Sequence, residues 1–312
     1  MCELNSWHNL ESTSVNHLDK NFPRFRTYAA SVGFVHSHVM HSTDHPYNIG
    51  IMSALPFNVL HEYQPPLFER GVLHVLFRTI NVHVFVAHLN AHDAHKREIE
   101  TTFIASKVIP LIRKGEKVIV MGDLNSLSPQ DKALHKEEDL DHILNDHGQS
   151  PNLRLKLLNA SGNINYQPIQ NLLDSGLTDT CAISCEQHGE DVEACMSRNC
   201  RTSEPTLFNP EVILRLFMTR YVLNLNFPQI IIAFVQWSES TPQPDIRLDF
   251  ILASPALLGT RDDVHDDVGK NAAATVNKEI TRVINAGVEV NNKTAYLSDH
   301  FPVFFQWWEP IC

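Results

Sequence analysis

Apolar and polar positions alternate clearly only in parts of the chain. Val72 to Arg78 and Asn81 to Leu89 are strand-like runs separated by Thr79-Ile80, a pattern that predicts a β-hairpin. Side chains alternate along a strand, so Val84, Val86 and His88 share one face. From about Ala94 to Arg113 the period lengthens. Ile99, Phe103, Ile104, Val108, Leu111 and Ile112 recur at helical spacing, and Gly115 is placed to end the helix. Lys117 to Met121 then reads as a short buried strand that runs directly into Gly122-Asp123-Leu124-Asn125.

Beyond Ser126, as far as about Thr206, the composition becomes polar, and Leu140, Ile143 and Leu153 to Leu158 suggest only short helices. Val212 to Trp237 is apolar enough to suggest a membrane span. Arg215, Arg220, Asn224, Asn226 and Pro228 argue against that reading, because charge at mid-membrane is costly. A buried strand or helix pair is expected there instead. Ile246 to Ala253 and Pro302 to Trp308, rich in β-branched and aromatic residues, predict strands. Trp237, Trp307 and Trp308 read as core or edge packing rather than as a base-stacking platform.

The 312 residues carry 25 Lys and Arg against 36 Asp and Glu, a formal charge of −11. Loose binding to long polyanions through bulk charge is thereby disfavoured, since it rests on neutralising phosphates with cationic side chains. Hydrophobic residues at 43% and charged residues at 20% fit a globular chain and exclude a disordered or collagenous one. Four of the six cysteines, Cys181, Cys185, Cys195 and Cys200, fall close together without the paired knuckles of a structural zinc site, so local disulfides are expected. Asn159-Ala160-Ser161 and Asn292-Lys293-Thr294 are glycosylation acceptors that fit an oxidising compartment. The start, MCELNSWHNL, lacks the basic and apolar runs of a signal peptide. Two locations therefore stay open: cytoplasmic, or secretory with the leader lost.

Three segments place polar chemistry at the end of an apolar strand: VIVMGDLNSLSP with Asp123 and Asn125, IRLDFILAS with Asp249, and LSDHFPVFF with Asp299 and His300. A carboxylate just past a buried strand is held rigidly, and a carboxylate beside an imidazole can orient it as a general base. Each segment alone also reads as a turn or loop. His36, His38, His41 and His45 crowd another stretch; nothing in the sequence fixes a metal geometry for them, and a strand or loop surface is expected.

Together, in this order and with His88-Leu89 ending an earlier strand, the segments resemble the endonuclease/exonuclease/phosphatase superfamily, the deoxyribonuclease I-like fold. Gly122 to Asn125 is similar to its GD(L/F)N motif, Arg247 to Ile251 to its R(I/L)D(Y/F)I motif, and Ser298 to Val303 to its terminal SDHxPV. Asn48 to Ser53 resembles its GxAxLS strand, and Glu3 its metal-binding Glu. The resemblance implies a two-sheet α/β sandwich with helices outside, and phosphoester hydrolysis with Mg²⁺ or Mn²⁺. It further implies that Glu3 and Asp299 hold the metal and that His300, oriented by Asp249, is a general base or a positive stabiliser. Asp123 would orient or deprotonate the attacking water, Asn125 would donate to a phosphate oxygen, and His88 would be a second donor or acid near the leaving group. The implied partner is a phosphoester: nucleic acid, phospholipid headgroup or small molecule. A monomer without a transmembrane span is expected.

The chain departs from that pattern in two places. Glu3 stands third, so the family's opening βαβ unit, roughly 30 to 60 residues, is absent, and an N-terminally truncated chain is expected. The interval between Asp123 and Asp249 is long, and a single domain over 1–312 is expected to carry a Cys-bearing insertion at about 175–206 and an apolar one at about 212–236. The second is expected to be translated intervening sequence. Two rivals to the hydrolase remain: a non-catalytic phosphate- or partner-binding member, and a secreted interaction domain stapled by its cysteines.

Overall fold

The structure is a computed structural model that describes residues 2–3, 23–31, 33–41, 48–137, 140–145, 151–187, 232–234, 248–258, 283–288 and 303–308. Its strands are β1 (Cys2–Glu3), β2 (His36–Met40), β3 (Ile49–Ser53), β4 (Asn58–Tyr63), β5 (Gly71–Phe77), β6 (Val82–His88), β7 (Lys117–Asp123), β8 (Thr178–Asp179), β9 (Ile232–Phe234), β10 (Asp249–Ala253), β11 (Val283–Val288) and β12 (Val303–Trp308). The helices are α1 (Pro23–Ser31), α2 (Ala94–Arg113), α3 (Lys132–Glu137), α4 (Leu140–Asn145), α5 (Pro151–Leu157), α6 (Gln167–Asp174), α7 (Thr180–Gln187) and α8 (Pro255–Leu258).

Six strands form the central sheet in the order β4-β5-β6-β7-β10-β8. The expected hairpin is β5 with β6, paired from Gly71↔His88 to Phe77↔Val82. β6 and β7 run parallel, joined through α2, so their carboxyl ends coincide. Strand alternation splits the core in two. Leu73, Val75, Val84, Val86, Ile119 and Met121 face the small sheet β1-β3-β2, meeting Met40, Ile49 and Ile51. Val72, Phe85, Ala87, Val118 and Val120 face the other way, onto Ile104 and Val108 of α2 and Ile169 and Leu172 of α6. Each fully buried side chain of this kind stabilises the fold by about 1.5–3 kcal/mol relative to exposure. This is the α/β sandwich with outer helices that the sequence implies. A third set, β11-β12-β9, brings β12 near β10 and β11 beside α7. β9 therefore gives one stretch of the apolar run at 212–236 a strand partner.

α2 forms where the apolar spacing predicts it. Asp93 caps it, its carboxylate accepting the N–H groups of His95 at 2.9 Å and Lys96 at 3.1 Å. Gly115, at φ +74°, ends it, donating its N–H to the Ile112 carbonyl at 2.8 Å. The buried stripe differs from the predicted one. Ile99 is 48% exposed beside a cleft of about 490 Å³, while Arg97, Glu100 and Thr101 are buried. No helix among the described residues is long and apolar enough to cross a membrane.

Candidate functional site

The site is built where β6, β7 and β10 end side by side. His88 pairs in register with Asp123, and Asp123 pairs with Asp249 on its other flank. The β6-α2-β7 crossover explains the first alignment: parallel strands present the same ends, where α/β sheets gather reactive groups. β10 runs antiparallel and so meets them with its first residue, Asp249.

Gly122 is required by this geometry. A Cβ there would stand 2.0 Å from the Ala87 carbonyl oxygen, and its φ of +131° suits glycine alone. The close approach draws β7 against β6 one residue before Asp123. Asn125 then adopts a left-handed backbone, φ +49°, which Asn tolerates. Its backbone N–H donates to Asp123 Oδ1 at 2.8 Å, and its amide Nδ2 donates to Asp123 Oδ2 at 2.9 Å and to the Leu89 carbonyl at 3.1 Å. Leu124 between them is fully buried and donates its N–H to the Leu248 carbonyl at 3.0 Å, which clamps the turn to the chain entering β10. Asp123 and Asn125 are thus one rigid unit.

His88 is 2% exposed and its Nε2 stands 3.5 Å from Asp123 Oδ2. Arg70, also buried, reaches the same ring: its Nη1 contacts Nε2 and lies 3.4 Å from Nδ1. A buried polar group must be satisfied by partners of this kind, since water cannot reach it.

Behind the site lies a network absent from the sequence reading. Glu100 accepts the backbone N–H of Asn90 at 2.9 Å and of Glu69 at 3.3 Å. Arg97 donates from Nε to Ser126 Oγ at 3.0 Å, from Nη1 to the Asn90 carbonyl at 2.8 Å, and from Nη2 to the Lys156 carbonyl. Asn90 Nδ2 also donates to Glu69. Burial raises the Glu100 carboxyl to about 7, opposed by its backbone donors and by Arg97. Burial lowers the Arg97 guanidinium to about 10, opposed by Glu100, Asp123, Asp93 and Glu98. The sequence signal was a charged pair, Arg97 and Glu100, three apart on a helix whose other flank is apolar.

Of the residues singled out by sequence, His88, Asp123 and Asn125 are brought together, and Asp249 is placed in register beside Asp123. Glu3 ends β1, paired with Ile49 of β3, a strand that packs against β5 and β6. Asp299 and His300 lie outside the described residues, as do Cys195 and Cys200. Cys181 and Cys185 are buried one turn apart on α7. Among the described residues no group of three or more His, Cys, Asp or Glu side chains is arranged to hold a metal ion. The donors that are described at the strand ends, a carboxylate and a carboxamide, are nonetheless oxygen ligands of the type hard divalent cations take. His36 and His38 lie on β2, where His38 Nε2 meets Glu62 at 2.5 Å.

Several solved structures resemble the chain. An AP endonuclease from Archaeoglobus fulgidus superposes with a TM-score of 0.47 at 12% identity, covering 92% of this chain and 83% of that one. A truncated TDP2 from Caenorhabditis elegans gives 0.43 at 12%, covering 92% and 80%. An endonuclease/exonuclease/phosphatase family protein from Leptotrichia buccalis gives 0.43 at 13%, covering 87% and 71%. No curated protein matches the sequence. The sequence model of the Endonuclease/Exonuclease/phosphatase family matches residues 5–300, from just after Glu3 to His300. With that match spanning the strand-end cluster of His88, Asp123, Asn125 and Asp249, the chain belongs to the Endonuclease/Exonuclease/phosphatase family, whose members are in general metal-dependent phosphoester hydrolases.

Proposed function

We propose that this chain is a divalent-metal-dependent phosphodiesterase that directs water onto phosphorus. The observation that carries the reading is the alignment of His88, Asp123 and Asp249 across three adjacent strand ends, with Asn125 locked to Asp123. A carboxylate fixed in this way orients an attacking water or takes its proton, and the Asn125 amide, whose two Nδ2 protons are held by Asp123 and Leu89 before substrate binds, turns one of them to a phosphate oxygen as negative charge grows there. His88 donates a hydrogen bond on the leaving-group side. His300, oriented by Asp249, is the general base or a positive stabiliser. Glu3 and Asp299 would hold Mg²⁺ or Mn²⁺, which when bound neutralises charge on the phosphoryl oxygens.

The catalytic unit is one domain over 1–312 with additions at about 175–206 and 212–236. The clustered cysteines Cys181, Cys185, Cys195 and Cys200 form local disulfides; what supports this is that both described cysteines are buried on the helix leading into that segment. Such pairing fits the secretory pathway. The substrate is a phosphoester among nucleic acids, phospholipid headgroups and small molecules.

The test is hydrolysis of DNA, RNA, sphingomyelin and inositol phosphates with and without Mg²⁺, for the wild type, Asp123→Asn and His300→Ala. Turnover of at least one substrate is expected, abolished by chelation, restored by Mg²⁺, and lowered by about 10²–10⁴-fold in each variant. Folded wild-type protein that turns over none of the four overturns the proposal.

A further inference from the structure

We infer that Arg97 is a positioning residue whose guanidinium clamps the segment following His88 to the turn that carries Asp123 and Asn125, so that the two strand ends meet the substrate as one body. The role at the substrate rests on the hydrolase reading; the clamp itself does not.

Helix geometry brings the side chain to this place. Side chains on a helix tilt toward its N-terminus, so Arg97, one turn into α2, reaches back over that turn to the chain entering it. There it meets Asn90, two residues beyond His88. The Asn90 side-chain oxygen closes a turn by accepting the N–H groups of His92 at 2.9 Å and Asp93 at 2.7 Å. Its backbone is held from α2: Glu100 accepts the N–H at 2.9 Å, and Arg97 Nη1 donates to the carbonyl at 2.8 Å. From the same guanidinium, Nε donates to Ser126 Oγ at 3.0 Å, on the residue after Asn125. The β6–β7 ladder extends to the Leu89 N–H, which donates to the Asp123 carbonyl at 3.0 Å. Beyond that bond, side chains span the gap.

A guanidinium is planar and its donors form a rigid fork, so two acceptors bonded to Nη1 and Nε are fixed relative to each other. A lysine ammonium, whose donors rotate, sets no such spacing. Arg97 is 1% exposed, and water cannot stand in for either acceptor. The clamp matters most while substrate is bound. Before that, the Asn125 amide also ties the two segments, donating to the Leu89 carbonyl at 3.1 Å. An amide that turns a proton to a phosphate oxygen no longer holds both of its partners. The acceptors of Arg97 are the Asn90 carbonyl, Ser126 Oγ and the Lys156 carbonyl, and the chemistry withdraws none of them.

Backbone hydrogen exchange of the full-length protein reads the clamp at the Asn90 and Asn125 N–H groups, which lie on different segments and are held by Glu100 and by Asp123 Oδ1. In the wild type the two are expected to exchange through one shared opening, with equal dependence on added urea. Ser126→Ala removes one acceptor and leaves the guanidinium and its charge in place. Exchange should quicken by about 10-fold, the effect of one lost hydrogen bond, at Asn90 as well as at Asn125. On a hydrolysed substrate Ser126→Ala lowers kcat by about 10²-fold, the cost of a misplaced group, while KM changes little. Asn171→Ala is the control for loosened packing, since it removes the bonds from α6 to the Glu98 carbonyl and to the Thr101 and Thr102 hydroxyls of α2. It should leave both readouts as in the wild type. Exchange that quickens at Asn125 alone, an unchanged kcat in Ser126→Ala, or an equal loss of kcat in Asn171→Ala overturns the inference. If Ser126→Ala fails to fold, the wild-type exchange decides alone: a shared opening supports the clamp and separate openings overturn it. The two readings fail separately. A shared opening with no turnover on any substrate leaves the clamp and removes the hydrolase; turnover with separate openings does the reverse.

Discussion

Glu100 accepts the backbone N–H of Asn90 at 2.9 Å, two residues beyond His88, and through its second oxygen holds the Glu69 N–H next to Arg70. One carboxylate on α2 thus ties down both chain segments that meet at the imidazole. It is 1% exposed, with its folded-state pKa raised to about 7 chiefly by burial. A carboxyl raised above its ordinary 4.5 contributes stability that is full below 4.5 and is lost as pH rises through 7. Glu100→Gln keeps an acceptor oxygen and removes the titration. Its stability relative to wild type should improve by on the order of 2 kcal/mol between pH 5 and pH 8. Urea titrations across that range check this, and a pH-independent difference would rule it out. Glu100→Ala strands two backbone donors and the Arg97 charge, and should cost about 3 kcal/mol at pH 5, a cost that shrinks toward pH 8 by the same titration that Glu100→Gln removes.

Gly115, just before β7, and Gly122, its penultimate residue, should be destabilised to different extents by one methyl group. At Gly122 the added Cβ meets the Ala87 carbonyl at 2.0 Å, and backbone cannot yield cheaply; at Gly115 nothing lies within 4 Å. Gly122→Ala should therefore destabilise by about 3 kcal/mol or more and displace Asp123, with loss of turnover. Gly115→Ala should cost only the left-handed strain, about 1–2 kcal/mol. Denaturation midpoints of the two variants, compared with wild type, are the measurement. Equal effects would mean that the parallel strands are not in close contact at Ala87.

Asn125 combines a left-handed backbone with three donated hydrogen bonds. Asn125→Gly preserves the conformation and the backbone N–H while removing the amide. Hydrolysis by this variant should fall by about 10²-fold, the usual effect of removing one donor to a developing oxyanion. Its stability should fall by no more than about 2 kcal/mol for the lost bonds to Asp123 and Leu89. Initial rates at a temperature where both proteins are fully folded separate the effects. Wild-type activity in Asn125→Gly would remove the amide from the chemistry.

Periodicity and punctuation disclosed the hairpin, α2 and β7, because the strands are continuous apolar runs buried on both faces, α2 repeats its apolar residues at helical spacing, and the boundaries fall at residues with a local structural reason: Asp93, Gly115, Gly122. The strand-end motif was legible for the same reason, since GDLN folds on itself within four residues. What stayed hidden depends on partners distant in sequence. Arg97 and Glu100 are charged residues on a helix, and they are buried only because the segments at Glu69, Asn90, Ser126 and Lys156 supply their partners. Arg70 carries no motif at all; its meaning appears only when Gly71 falls opposite His88. α1 and α6 were likewise unannounced, their sequences lacking a long apolar stripe.

Three histidines line up across β4, β5 and β6 on the helix-covered face. His74 is 6% exposed, stacks on Phe85 with ring centroids 3.9 Å apart, and lies between His61 at 5.9 Å and His83 at 5.2 Å. Its Nε2 and His83 Nδ1 are 3.0 Å apart, and its own Nδ1 is buried without a hydrogen bond. Burial, followed by the charges His83 and His61 would carry, lowers its pKa from 6.5 to about 3. Burial also lowers His83, opposed by Glu116. A base whose folded pKa is depressed contributes stability that is full above 6.5 and is lost as pH falls toward 3, because only the unfolded chain takes up the proton. That loss should reach roughly 3 kcal/mol by pH 4. Glu100 opposes it between pH 4.5 and 7, so the wild-type profile should be nearly flat there and fall steeply only below. His74→Phe keeps a flat ring against Phe85 and removes the proton uptake. The variant should gain on wild type progressively as pH falls from 7 to 4, exposing the Glu100 slope as a rise in stability over the same interval. Urea titrations at half-unit steps measure the difference. A constant offset between the two proteins would show that His74 does not carry the acid sensitivity assigned to it.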